Sequence, residues 1–119
     1  MKILSIETSC DDTAIALLDA SKEGFKVLSN LISSQIEIHK EWGGVYPSLA
    51  KREHQKNLVP LLKKIIGEKG ETFKFSKKEV KEILSREKDL YKELNKFLSH
   101  SKKPKIDILA ATKGPGLDP

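Results

Sequence analysis

Hydrophobic and polar positions change period along this chain. Residues 2 to 7 (Lys-Ile-Leu-Ser-Ile-Glu) and 13 to 18 (Thr-Ala-Ile-Ala-Leu-Leu) are short apolar runs around the polar cluster Thr8-Ser9-Cys10-Asp11-Asp12. That pattern predicts a β-hairpin. Asp19 to Gly24 is a second polar break, and Phe25 to Ser34 alternates as a third strand of the same meander. The Gly43-Gly44 pair then marks a turn, and Pro47 suits the first turn of a helix. Leu58, Leu61, Leu62, Ile65 and Ile66 recur at helical spacing up to Gly67, although Pro60 removes a backbone donor and should bend that helix. Ser76-Lys77-Lys78-Glu79 is a capping box, and Val80, Ile83, Leu84, Leu90, Tyr91, Leu94, Phe97 and Leu98 mark the apolar face of one further helix. Ile106 to Thr112 is a continuous apolar run of the kind buried on both faces of a sheet. The predicted order is β-β-β-α-α-β, an α/β fold. Residues 67 to 78 are the candidate mobile connection.

Composition narrows the class without naming a function. The 119 residues are one domain's worth, 38% hydrophobic and 33% charged, with no apolar run near the roughly 20 residues that span a bilayer. The first strand meets Glu7 too early for a secretory signal, and Cys10, the only cysteine, permits no internal disulfide and no cysteine-built zinc site. A cytoplasmic protein without a membrane role is the expectation. The net charge of +5 is uneven: residues 1 to 60 carry 7 basic against 8 acidic side chains, and residues 61 to 119 carry 15 against 9. Lysines interleaved with glutamates read as a solvated helix face, or as a steering surface for a polyanion such as RNA.

The chemistry-bearing residues cluster in the first turn. Thr8 and Ser9 offer hydroxyls and Asp11 and Asp12 carboxylates, a set able to hold phosphate oxygens, a divalent cation or a substrate amine; the alternative is an Asx or Ser/Thr turn that caps its own backbone. Gly114-Pro115-Gly116, after the last strand, permits close backbone approach to a ligand at the carboxyl end of the sheet, or is a plain strand-to-helix turn. His39, His54 and His100 lack the spacing that puts two imidazoles on one helix face, so no metal site is visible. His54 reads as a surface or satisfied helix residue. Cys10, without an evident histidine partner, reads as a small buried thiol rather than a nucleophile.

Three segments together resemble one family: Ile6-Glu7-Thr8-Ser9-Cys10-Asp11-Asp12-Thr13, Gly43-Gly44-Val45-Tyr46-Pro47-Ser48-Leu49-Ala50-Lys51-Arg52-Glu53-His54, and Gly114-Pro115-Gly116-Leu117. In order and spacing they look like the amino-terminal part of the tRNA threonylcarbamoyltransferases, also known as the glycoprotease or O-sialoglycoprotein endopeptidase family. The resemblance implies an actin-like ATPase fold of ribonuclease-H-like lobes, of which residues 1 to 119 would be an incomplete amino-terminal lobe and residues 69 to 103 a family-atypical helical insertion. It implies transfer of a threonylcarbamoyl group from threonylcarbamoyl-AMP to N6 of the adenosine beside the anticodon, in tRNAs reading codons that begin with A.

On the matching positions the resemblance implies Asp11 and Asp12 as catalytic, substrate-orienting carboxylates, Asp12 standing where glutamate is common. It makes Ser9, Cys10, Gly114 and Gly116 substrate-binding. Leu58, Leu61 and Leu62 become either core or a partner surface. The full-length family uses one divalent metal, iron or zinc, held by a His-x-x-x-His pair and a later aspartate, none of which this chain contains. The ligand would be threonylcarbamoyl-AMP or an adenine nucleotide; the partners would be tRNA, a noncatalytic paralogue and a small ATPase. Two other classes compete, a noncatalytic paralogue acting as dimerisation scaffold and an actin-like-fold kinase. If the lobe is incomplete, the strand at 106 to 112 exposes apolar surface and an unpaired edge. The prediction is that residues 1 to 119 in isolation aggregate or stay partly molten; a cooperative, monomeric thermal unfolding transition would contradict it.

Overall fold

A computed structural model of the chain describes residues 1 to 67 and 70 to 114. Three strands open it, β1 (Lys2–Glu7), β2 (Asp12–Ser21) and β3 (Gly24–Ser34). Two helices follow, α1 (Ile36–Lys40) and α2 (Pro47–Ile65). Then come β4 (Glu71–Thr72), α3 (Lys77–Ile83), α4 (Lys88–His100), β5 (Lys102–Lys103) and β6 (Ile108–Ala111).

The main sheet runs β3-β2-β1-β6. β1 and β2 pair antiparallel, with Leu4 opposite Leu17 and Ile6 opposite Ile15, while β6 lies parallel to β1 with Leu109 beside Leu4. The β2–β3 ladder shifts register between Leu17 and Leu18, leaving Leu28 as the extra residue of a bulge. Period-2 alternation puts Thr13, Ile15 and Leu17 on one face of β2, and α2 packs there. The core comprises Leu4, Ile15, Val59, Leu61, Leu62, Ile66 and Phe97, flanked by partly buried Ile6, Leu31, Leu90 and Leu94. Pro47 occupies the first turn of α2. Pro60 leaves the Lys56 carbonyl without its intrahelical donor, but both residues face solvent, where water can replace it, so the apolar stripe continues.

Several expectations are corrected. The order β-β-β-α-α-β holds only for the larger elements: the structure adds α1 and the β4–β5 ladder, and the one helix expected after Ser76 is two. Half of the expected capping box forms: Glu79 N–H donates to Ser76 Oγ at 3.2 Å, but among the described residues the Glu79 carboxylate does not accept in return from Ser76 N–H. The helix stops at Leu84, and Glu87 restarts it. The break has a physical reason, because there the Glu87 carboxylate reaches α2, where it pairs with Lys51 Nζ at 2.9 Å and accepts from the Gln55 amide. The connection expected to be mobile is tied down over its described part: Glu71–Thr72 pairs with Lys102–Lys103, and the Phe73 ring lies 5.7 Å from that of Phe97. Gly70 is required there, since a Cβ would sit 2.0 Å from the Lys103 carbonyl oxygen at a φ of +140°. β6 is not buried on both faces; Ile108 is 42% and Leu109 64% exposed, because β6 is an edge strand of this sheet.

Phe97 joins α4 to the sheet-facing core at 3% exposure, whereas Ile83 on α3 is 78% exposed. In the protein that carries this chain, Phe97→Ala should cost about 3–5 kcal/mol in denaturant unfolding and Ile83→Ala less than about 0.5 kcal/mol. Equal effects would contradict this packing.

Candidate functional site

Parallel pairing of β1 and β6 brings two connections to one end of the sheet, the Thr8–Asp11 turn after β1 and the segment Thr112–Gly114 after β6. They are joined there: Thr112 N–H donates to the Ile6 carbonyl at 3.1 Å, and the Thr112 hydroxyl donates to Glu7 Oε2. Glu7 is thereby the organising carboxylate of the turn. Its Oε1 accepts the Ser9 hydroxyl and the Ser9 N–H, the latter at 2.8 Å. The Ser9 side-chain hydrogen bond, then that of Thr112, then the Ser9 amide hold its carboxyl below the ordinary value of 4.5.

The turn meets α2. Cys10 is exposed and takes a left-handed conformation, φ +49°, which costs about 1–2 kcal/mol for a residue with a Cβ. Its carbonyl accepts from His54 Nε2 at 3.1 Å. Between turn and helix lies a cleft of about 340 Å³, lined by Thr8, Ser9 and Cys10, by Pro47, Ala50, Lys51, His54, Gln55 and Leu58 of α2, and by Leu90 of α4. Pro47, Ala50, Lys51, His54 and Leu58 stand at helical spacing, so one face of α2 forms the wall. The cleft combines two hydroxyls, a thiol, an ammonium, an imidazole and an amide with apolar Pro47, Ala50, Leu58 and Leu90, a composition suited to a polar small molecule.

The sequence-derived candidates divide. Ser9 and Cys10 line the cleft, which corrects the expectation of a buried thiol, since the left-handed turn presents Cys10 outward. Asp11 does not line it; it borders a second depression with Ile36, His39, Lys40 and Gly43 to Val45. Asp12 begins β2, and its Oδ1 is buried with no hydrogen-bond partner among the described residues. Gly114 is exposed at the sheet end that carries the turn, and Gly116 lies outside the described residues. Leu61 and Leu62 are each 7% exposed and belong to the core, the first of their two readings; Leu58 is half-buried on the cleft wall.

Sequence reasoning gave no site role to Lys51, Gln55 or Leu90, and did not join Gln35 to His39. Both members of that pair are buried polar residues, four apart and hydrogen-bonded at 2.7 Å. A glutamine and a histidine at that spacing beside a Gly-Gly turn were the available signal. No group of three or more metal-ligating side chains gathers among the described residues. The ring nitrogens of His39 and His54 are all engaged in hydrogen bonds, so these residues do not fit a metal ion. No helix of the described residues is long and apolar enough to cross a membrane.

Comparison with known proteins adds independent findings. A family model described as tRNA N6-adenosine threonylcarbamoyltransferase matches residues 26–84. A protein of that name from Thermotoga neapolitana is 38% identical over 117 residues, covering 98% of this chain and 25% of the relative. One from Buchnera aphidicola is 39% identical over the same length and shares. One from Persephonella marina is 62% identical over 68 residues, 57% of this chain and 19% of the relative. The chain spans about a quarter or less of the length of these curated relatives.

Because hydrogen bonds lower the folded-state pKa of Glu7, its contribution to stability is present above the ordinary carboxylate value of 4.5 and is lost as pH falls through the lowered one. Glu7→Gln should flatten the acid limb of the stability curve of the protein that carries this chain. An acid limb as steep as the parent's, measured by chemical unfolding from pH 7 down to pH 3, would contradict this role.

Proposed function

We propose that this chain, which matches the tRNA N6-adenosine threonylcarbamoyltransferase family model over residues 26–84, supplies the amino-terminal wall of an acyl-transfer site acting on tRNA. The observation that carries the reading is the cleft between the Ser9–Cys10 turn and α2, within a likeness that extends over 117 residues of relatives bearing that name. The reaction joins the N6 amine of an adenosine to the carbamoyl carbon of threonylcarbamoyl-AMP. The C–N bond forms, the bond from that carbon to the phosphate oxygen breaks, AMP leaves, and the amine gives up a proton. The amine lone pair is delocalised into the purine, so positioning and stabilisation of the developing oxyanion supply most of the rate.

In this reading the Ser9–Cys10 turn and Gly114 flank the acyl adenylate, and Asp11, on the outer side of the turn, with Asp12 behind it, orients the incoming amine. The actin-like, ribonuclease-H-like lobe is part of the same proposal. Its support is a three-stranded antiparallel meander extended by a parallel strand and covered on one face by a helix. Residues 69 to 103 are proposed as an insertion layered on α2 through α4. The tRNA, the noncatalytic paralogue, the small ATPase and a cytoplasmic setting are proposed with the family reading. The divalent metal of that reading is assigned to no residue of this chain.

The test is to incubate the protein that carries this chain with unmodified tRNA, threonylcarbamoyl-AMP and the partner subunits, and to analyse nucleosides by mass spectrometry. The expected result is N6-threonylcarbamoyladenosine with release of AMP. An unmodified tRNA, or ATP-dependent phosphorylation of a small molecule, would overturn the reading.

A further inference from the structure

A line of directed hydrogen bonds runs from the loop before α2 to the β1–β2 turn. The Tyr46 backbone N–H donates to His39 Nδ1 at 3.1 Å, so that nitrogen is an acceptor and the proton of the neutral ring sits on Nε2. His39 Nε2–H then donates to Gln35 Oε1 at 2.7 Å, which fixes the orientation of the amide. Gln35 Nε2 is left to donate to the Ala50 carbonyl and to His54 Nδ1, each at 3.4 Å. The Thr13 hydroxyl donates to the same Nδ1 at 2.8 Å. With Nδ1 an acceptor, His54 carries its proton on Nε2 and donates it to the Cys10 carbonyl at 3.1 Å. A backbone N–H can only donate and a carbonyl only accept, so the two ends determine every tautomer between them.

The middle of this line costs stability where it is broken, whereas its last bond, from His54 to the Cys10 carbonyl, is exposed at the cleft. Thr13 and Gln35 are fully buried and His39 nearly so, and each lost partner would strand a polar group out of reach of water. The line ends on the one residue of the turn whose backbone is in a disfavoured region, and such a conformation persists only when its surroundings hold it. The next carbonyl is held as well, because Asp11 O accepts from Gln35 N–H at 2.6 Å. His54 itself lines the cleft, whereas α2 is fixed to the sheet by Val59, Leu61 and Leu62 further along.

We propose that His54 is the positioning residue of this site: by donating Nε2–H to the Cys10 carbonyl it sets the geometry of the Ser9–Cys10 wall against which the acyl donor is placed. The proposal rests on the family reading for the identity of that donor, and on the hydrogen-bond line alone for the role of His54. A wall displaced by about 1 Å costs on the order of 10²-fold in a positioning-dominated reaction.

The experiment has two arms, both on the protein that carries this chain. Long-range 1H–15N spectra of the imidazoles should show the neutral Nε2–H tautomer at His39 and His54, and the Cys10 and Asp11 amide resonances should move in His54→Ala and return toward the parent positions in His54→Gln, whose amide can still donate to the Cys10 carbonyl. In the transfer assay, His54→Ala should lower kcat about 10- to 100-fold with the KM for tRNA within about twofold, and His54→Gln should recover most of it. His100→Ala, on the far end of α4, should match the parent. An Nδ1–H tautomer at His54, unmoved turn amides in His54→Ala, or equal kcat losses in both His54 variants that track a lowered melting temperature would each overturn the proposal. A parent protein that makes no modified nucleoside overturns the family reading instead, and the spectra then decide the role of His54.

Discussion

β1 hydrogen-bonds antiparallel to β2 on one side and parallel to β6 on the other, and the difference in sense decides where the rest of the structure can act. An antiparallel neighbour can follow after a short turn, so β2 is reached through Thr8–Asp11. A parallel neighbour needs a crossover, and the whole span from α1 to β5 supplies it. Because β6 runs with β1, its carboxyl end emerges beside the β1–β2 turn, where Thr112 and Glu7 are bonded. The cleft lies at this end of the sheet because the strand senses put two loops there.

α2 serves two purposes with two faces. Val59, Leu61, Leu62 and Ile66, just past its end, build the core, while Pro47, Ala50, Lys51, His54 and Leu58 form the wall of the cleft. The faces share one rigid element, so packing in the second half of the helix fixes the angle at which the first half meets the turn. Glu87 adds a fastening from the start of α4 to Lys51 and Gln55, and the broken helix around it is the geometric consequence. Exposure at β6, at Phe25 and Ile32 on β3 and at Trp42 and Tyr46 before α2 shows that apolar surface is concentrated away from the core face.

The meander, α2 and the last strand were legible in the sequence because each has a clear period or a punctuating residue: alternation in β1 to β3, Pro47 and the leucine stripe in α2, an unbroken apolar run in β6. The capping box at Ser76 was legible because it is local. The break at Leu84 was not, since Ser85-Arg86-Glu87 holds neither proline nor glycine and its cause is a contact with α2, 32 residues from Gln55 to Glu87 in sequence. The position of Ser9 in a polar, hydroxyl- and carboxylate-bearing turn was legible from the residues, whereas Cys10 read there as a buried thiol and entered the site only through the family resemblance. The separation of Asp11 from them was not legible, because it depends on one backbone angle at Cys10. Within the tautomer line only the Gln35–His39 step, four residues apart, has a sequence signature; the steps to His54 span 19 residues from Gln35 and 41 from Thr13, and only the fold makes them.

On the proposed function, the carboxyl end of β1 and the start of α2 form the wall of an acyl-adenylate site. The most direct measurement is a crystal structure of the protein that carries this chain with a non-hydrolysable threonylcarbamoyl-adenylate analogue. The account predicts the analogue in the cleft, with a polar atom within hydrogen-bond distance of the Ser9–Cys10 turn and His54 still bonded to the Cys10 carbonyl. An analogue bound with no contact to residues 8–10 or to the first half of α2 would contradict it.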